Sequence, residues 1–406
     1  MKILLINQTF FPDIVATAQY LTDLAVDLTK AGHDVTVLTS RRSYLESHRL
    51  YPAREIYEGI EIIRVWSFSF GRKGKVSRVL DALFLNLSFA WRFVWLARFD
   101  KVIAMTTPPL VGWIASLLAK WRGSELVYWL MDINPDQVIQ AGWIRHRGFP
   151  ARLLETMLKF SLRRSDKIVV LDHFMKENIV SKGIVPAKVE IMSPWVLEDL
   201  REGVPHRQNN FRAQHHLNGK FVVMYSGNHS VCHPLDTILQ AALILKSDPS
   251  IQFMFVGGGV RMPEVFDFKA KHNLSNVTCL PYQERGKLKD SLSAADLHTV
   301  VMGDRYIGIV HPSKIYGILG VGRPFILIGP AESPIGELIK ETGIGCQVEH
   351  GDVEGFIRAV HEVKQTSPNQ KQMAAQKSIE LTNSRFNRKT LTQGLTELIC
   401  HDNLSG

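Results

Sequence analysis

The chain has 406 residues, 45% apolar and 21% charged, which is long for one hydrophobic core and too apolar for a disordered or fibrous protein. Its formal net charge is +9, and between Arg41 and Lys101 twelve Lys/Arg stand against six Asp/Glu. Such a stretch suits nucleic acid, anionic lipid or phosphate-bearing substrates, or is simply a positive solvated surface. The four cysteines, Cys232, Cys279, Cys346 and Cys400, lie at no metal-ligand or redox spacing. The opening Met1–Leu5 reads as a buried strand rather than a secretory signal, so a reducing cytoplasm is the expected compartment.

In chain order, strands are predicted at Lys2–Ile6, His33–Leu38, Ile60–Val65, Lys101–Met105, Glu125–Leu130 and Asp166–Leu171. Between the first two, Leu21, Leu24, Ala25 and Leu28 keep helical spacing, and Gly32 supplies the C-cap. Short buried strands alternating with helices predict a parallel, doubly wound sheet. The pattern restarts with strands at Lys220–Tyr225, Ile251–Val256, Asn276–Leu280, Asp296–Met302 and Pro324–Ile328. The polar segment from Glu198 to Gly219 lacks an apolar period and reads as the connection. The predicted division is 1–197, a linker at 198–219, a second domain at 220–385, and a terminal helix at 386–406.

Val79–Ala97 stands apart, with fifteen apolar residues in nineteen. Asp81, Ser88 and Arg92 share a narrow sector of its helix, and Asn86 is the other polar residue. Asp81 and Arg92 make a membrane span costly. Two readings stay open: a helix buried in the first domain, or one lying in a lipid interface. Arg72, Lys73, Lys75 and Arg78 precede it, where anionic headgroups would attract them.

The candidate chemistry lies in loops that follow strands. Tyr225-Ser226-Gly227-Asn228-His229 and Val256-Gly257-Gly258-Gly259-Val260-Arg261 let phosphate approach the backbone. The stretch from Gly308 to Pro324 carries a third signal. Pro312 and Ser313 open a helix, Gly322 closes it, and Lys314 sits in the first turn, where a cation opposes the helix dipole. A phosphate there would turn that conflict into attraction; otherwise Lys314 points into solvent. In the first half, Tyr128–Asp136 ends a strand. Asp132 there is a candidate to orient or deprotonate an acceptor hydroxyl. Asp136 is either an acceptor-side carboxylate or a helix cap, since Asn134-Pro135 is turn chemistry. Thr106-Thr107-Pro108-Pro109 is a further candidate for the acceptor wall.

With these residues in place, the chain resembles the bacterial family 4 glycosyltransferases, particularly the branch of colanic-acid and O-antigen enzymes. The resemblance runs through Phe10–Asp13, Gly32–Thr39, Tyr225–Asn228, Leu235–Thr237, Phe255–Gly259, Leu280–Tyr282 and the Pro312-Ser313-Lys314 helix. It implies an α/β GT-B fold, two Rossmann-like doubly wound domains facing across a cleft. It also implies retention of anomeric configuration, no metal and no cofactor. The donor side would comprise Gly227, Asn228, His229, Gly257, Gly258, Tyr282, His311, Ser313 and Gly317. Phe11, Thr107 and Asp136 would face the acceptor, and Asp132, Arg305 and Lys314 would be catalytic. Leu280–Tyr282 would lie against the nucleobase, and Arg388–Cys400 would cross back to the first domain.

Two departures stand out. The two glutamates usual in the family fall at Ile309 and Gly317 here, and a usual Arg and Lys fall at Asn228 and His233. Arg305, His311 and Lys314, with His229 behind them, are the candidates to neutralise the leaving diphosphate. The expected partners are a nucleotide sugar, a lipid-linked saccharide acceptor and an anionic membrane surface, with no nucleic acid. The protein would be peripheral on the inner face of the cell membrane. A non-catalytic scaffold and a GT-B nucleotide-sugar epimerase are the alternatives.

Overall fold

The computed structural model describes residues 1–46, 48–68 and 75–400, with backbone only at Lys75 and Val76. The chain forms two compact units. The first takes Met1–Ser193, Gly308–His311 and the chain from Lys389 onward; the second takes Pro194–Ile307 and Pro312–Arg388.

The first unit runs β1 (Lys2–Ile6), α1 (Ala16–Lys30), β2 (Asp34–Ser40), β3 (Arg54–Tyr57), β4 (Ile60–Val65), α2 (Lys75–Val94), β5 (Lys101–Ala104) and α3 (Val111–Arg122). It continues with β6 (Glu125–Trp129), α4 (Asp136–Gln140), α5 (Phe149–Arg164), β7 (Lys167–Val170), α6 (His173–Ser181) and β8 (Val189–Ile191). The sheet order is β3-β4-β2-β1-β5-β6-β7-β8, parallel throughout except at the β3–β4 edge. Ile3–Ile6 in the central β1 are all buried, as a parallel strand covered by helices on both faces requires.

The second unit contains α7 (Asn210–Gln214), β9 (Phe221–Asn228), α8 (Asp236–Ile244), β10 (Ile251–Gly258), α9 (Met262–His272), β11 (Val277–Leu280) and α10 (Arg285–Ser293). Then come β12 (Leu297–Val301), α11 (Lys314–Gly320), β13 (Phe325–Ile328), α12 (Pro334–Thr342), β14 (Cys346–Val348), α13 (Val353–Gln365) and α14 (Pro368–Ser384). The sheet β11-β10-β9-β12-β13-β14 is all parallel. This is the Rossmann order, with its reversal between β9 and β12. The last helix, α15 (Arg388–Cys400), folds with the first unit from Lys389 onward, burying Thr392, Leu395 and Ile399.

Three edge strands have no counterpart among the predicted ones. β3 is short, half-exposed and charged, and β8 and β14 span three residues each, too few to show a period. The polar segment 198–219 folds with the second unit. Phe211 and Leu217 enter that unit's core, and the buried Arg212 guanidinium donates to the carbonyls of Ala294, Leu217 and Lys220 and pairs with Asp296. Two apolar side chains in so many polar residues leave no periodic trace.

Neither reading of the Val79–Ala97 stretch describes it whole. Leu85, Phe89 and Phe93 of α2 are buried, whereas Leu83, Leu87, Trp91 and, just beyond the helix, Trp95 are exposed. The buried Asn86 amide donates to the Ala82 and Pro109 carbonyls. Among the described residues no helix is long and apolar enough to cross a membrane. Arg78 lies over the Trp143 ring at 5.3 Å, while Arg72 and Lys73 fall outside the described residues.

Candidate functional site

In the second unit the strand ends around the order reversal gather most of the donor-side candidates. β9 and β10 run side by side in a register that sets Gly227 against Gly257 and Asn228 against Gly258. Both Gly227 (φ +124) and Gly257 (φ +130) have backbones that L side chains rarely adopt, and a Cβ on Gly257 would stand 2.1 Å from the Gly227 carbonyl oxygen. The two glycine loops are therefore one surface. Tyr282, just past β11, joins it by donating its hydroxyl to the Gly258 carbonyl at 3.0 Å.

Lys314 reaches the same place from the first turn of α11. Its Cε would lie 3.7 Å from a Cβ on Gly227, and its Nζ sits 3.6 Å from the centroid of the Tyr225 ring. The stem is partly exposed, but Nζ is buried and has no hydrogen-bond partner among the described residues. Burial holds the amine well below the ordinary lysine range. A cation–π contact returns about 2 kcal/mol to a desolvated ammonium, less than its removal from water costs. The amine thus stands where, among the described residues, no anion offsets a positive charge on it. By contrast, Arg261 beside it already pairs with Asp236 and Glu264.

His229 is fully buried next to Lys314. Burial, and then the Lys314 charge, lower its pKa to about 4, so it is neutral at pH 7. Its Nδ1 lies 3.1 Å from the Gly227 carbonyl, which puts the proton on Nδ1 and leaves the unpartnered Nε2 as an acceptor. His233, where the family usually has a cation, is pushed well below the ordinary histidine range by burial and by Lys314. Its Nδ1 lies 3.2 Å from the Asn228 carbonyl. Asn228 is exposed, and Ser313 precedes α11 without a side-chain capping bond. Gly317 faces Leu292 and Leu200, which a Cβ would meet at 3.1 and 3.4 Å, so it offers backbone alone. Arg305 is exposed in a short turn at Asp304–Tyr306.

His311 belongs to the first unit. Gly308–His311 fold with the first unit, where Ile133 N–H donates to the Ile309 carbonyl and Val310 pairs with Asp132 as an antiparallel bridge. His311 Nδ1 is 2.7 Å from Asp172 Oδ2. Asp172 also caps α6 through Met175 N–H. Sequence reading had no signal for this pair, whose members are 139 positions apart.

The other first-unit candidates cluster at strand ends. Thr107, after β5, donates to Asn7 Oδ1 at 2.6 Å, joining the two loops at that sheet's own order reversal. Phe11 stacks on Tyr57 with centroids 3.9 Å apart. Asp136 begins α4 with no capping bond and instead pairs with Lys182 at 2.6 Å, with Asn178 at 3.3 Å. Asp132 keeps some surface, yet burial raises its carboxyl to about 7. A carboxyl at that value is poised to exchange a proton near neutrality.

Residues 16–195 match the glycosyl transferase 4-like domain. This part of the chain is similar to the family 4 glycosyltransferases. The chain is 26% identical over 305 residues to a Pseudomonas aeruginosa protein named "Probable glycosyltransferase WbjE", covering 73% of this chain and 75% of that one. It is 23% identical over 374 residues to an Escherichia coli K12 protein named "Putative colanic acid biosynthesis glycosyl transferase WcaI", covering 89% of this chain and 92% of that one. Its fold is that of Anabaena HepE solved with UDP and glucose, at TM-score 0.72 and 16% identity over 98% of this chain and 99% of that one. WaaG, a glycosyltransferase involved in lipopolysaccharide biosynthesis, gives 0.70 and 15% over 98% and 100%. The architecture is GT-B.

Proposed function

We propose that this chain transfers a hexosyl group from a nucleoside diphosphate sugar to a lipid-linked saccharide, with retention of configuration and no required metal, in polysaccharide or O-antigen assembly. The observation that carries the donor half is the Lys314 amine, buried over Tyr225 beside two fused glycine loops and matched by no anion among the described residues. A diphosphate supplies that anion, and the charge that grows on it as the glycosidic bond breaks is what a fixed cation stabilises. Loop N–H groups around Gly227 and Gly257 would share the phosphate oxygens, and Tyr282 would stand near the base. HepE was solved with UDP, which favours uridine as that base. On the acceptor side, Asp132 would orient or deprotonate the attacking hydroxyl.

The membrane half rests on the outer face of α2 and α3. Trp91, Trp95 and Trp121 are 70%, 66% and 63% exposed, and Arg122 donates to the Val94 and Leu96 carbonyls between them. Amphipathic indoles beside cationic side chains suit a headgroup region, and a lipid-linked acceptor would be met there. WaaG and WcaI are named for cell-surface polymers, in keeping with this setting.

Thermal stability of the pure protein against uridine, guanosine and thymidine diphosphates and their sugars tests the donor half, because a ligand of the folded state raises apparent stability. A shift with one base family is expected. No shift with any of them would sink the reading. Product anomeric configuration by NMR, measured with and without a chelator, tests retention and metal independence.

A further inference from the structure

The first unit contains a pocket lined by none of Phe11, Thr107, Asp132 and Asp136, although the Thr106–Pro109 and Tyr128–Asp136 stretches both reach it. It lies where β5 and β6 end, between α3, α4 and α5, and has a volume of about 60 Å³. Pro109, Trp113, Val138 and Leu154 give it apolar walls. Three polar groups open into these walls. Thr106 is 3% exposed and its Oγ1 has no hydrogen-bond partner. Tyr128 is buried, with Gly112 so close that a Cβ there would lie 2.6 Å from the phenol oxygen. Among the described residues neither the Tyr128 hydroxyl nor the Asn134 amide is hydrogen-bonded, and all three groups line the cavity.

A buried polar atom left unpaired, as Thr106 Oγ1 is among the described residues, costs about 1–3 kcal/mol, and with the Tyr128 hydroxyl and the Asn134 amide on the same walls the pocket suits a ligand that pairs with all three. Size and chemistry narrow that ligand. A water needs only about 10–15 Å³ of such space, whereas a lipid chain or a further sugar ring needs far more. A lipid chain would also leave all three polar groups unpaired. An acetamido group has four heavy atoms, one carbonyl with two lone pairs, one N–H and a methyl. Hydroxyls of Thr106 and Tyr128 can donate to the carbonyl, the Asn134 side-chain oxygen can accept from the N–H, and the methyl meets Val138 and Leu154. We propose that this pocket receives the acetamido substituent of a 2-acetamido-2-deoxyhexose in the acceptor, with the Trp113 indole against the sugar. The inference rests on the first unit being the acceptor domain and specifies which acceptors it selects.

The test uses the full chain without donor. Methyl 2-acetamido-2-deoxyglucoside and the matching galactoside are titrated beside methyl glucoside and galactoside by saturation-transfer NMR. One acetamido sugar should bind about tenfold or more tighter than its plain counterpart, with the strongest saturation on the acetyl methyl, since two or three hydrogen bonds and a buried methyl are at stake. Thr106→Val and Tyr128→Phe should each weaken it about threefold to tenfold. Val138→Phe should fill the pocket and abolish the preference. Melting curves confirm that each variant folds, and the wild-type comparison stands even where one does not. Equal binding of acetamido and plain sugars, or a preference unchanged in both Thr106→Val and Tyr128→Phe, would overturn the assignment. UDP binding followed in the same samples reports the donor reading separately: its loss with the acetamido preference intact would sink that reading and uphold this one.

Discussion

Replacing Lys314 by Met keeps the stem and removes the charge, and it should move two quantities in opposite directions. In the free protein the ammonium is buried against Tyr225 with no anion. Its desolvation costs several kcal/mol and the aromatic ring returns about 2 kcal/mol, so Lys314→Met should stabilise the unliganded chain by about 1–3 kcal/mol. For a unit of this size that is roughly 2–4 °C in melting temperature per kcal/mol. Nucleotide binding should suffer, because a hydrogen bond to a charged group is worth about 1.5–3 kcal/mol, or roughly 10- to 150-fold in Kd. A third signature comes from pH. The unfolded lysine titrates near 10.4 and the folded one lower. Between those values the unfolded chain holds a proton that the folded chain has released, so stability climbs with pH across that window. The climb should vanish in Lys314→Met. Differential scanning fluorimetry across pH, with and without UDP, reads all three. A variant that melts like the wild type and binds UDP as tightly would refute both the buried cation and its role.

Asp132 carries the opposite sign. Its folded carboxyl titrates at about 7 against 3.8 unfolded, so its stabilisation is complete below 3.8 and is lost as pH rises to about 7; Asp132→Asn should flatten the melting temperature over that range, and an unchanged slope would assign the decline to another group. Gly257→Ala forces a Cβ onto the Gly227 carbonyl at φ +130, and urea denaturation should show about 2–4 kcal/mol of destabilisation together with weaker UDP binding. For the α2 surface, changing Trp91 and Trp95 to Glu should cut co-sedimentation with phosphatidylglycerol-containing vesicles severalfold and leave the melting temperature nearly unchanged, since both indoles are exposed. Equal sedimentation would remove these residues from the lipid contact.

The sequence pattern exposed what is locally encoded. A buried strand such as Lys2–Ile6 was legible to the residue because a parallel strand covered on both faces is a continuous apolar run, here Ile3–Ile6. The glycine loops and the Ser313–Gly322 helix were legible because they are strand-to-helix turns with their own chemistry. What stayed hidden depends on residues distant in sequence. That Lys314 is buried rather than solvated follows from Tyr225, 89 positions earlier, and that His311 joins Asp172 follows from a four-residue excursion that no periodicity records. For the pocket at Thr106, Tyr128 and Asn134, both stretches were singled out in the sequence but not their pairing: the three residues become a set only when β5 and β6 lie side by side.

The first unit is assembled from three separate pieces of chain, the last beginning at Lys389. That piece seals its surface: the Lys167 amine donates to the Leu398 carbonyl, Cys400 Sγ meets His33 Nε2 at 3.2 Å, and Leu395 and Ile399 are buried. During synthesis this unit must wait for its closing helix while the ribosome makes about 200 further residues, roughly 10–40 s at ordinary elongation rates. Throughout that interval the apolar ground under Leu395 and Ile399 is bare, and the nascent chain is open to chaperones or to aggregation there. The second unit, whose final residue is Arg388, is complete before the first one is.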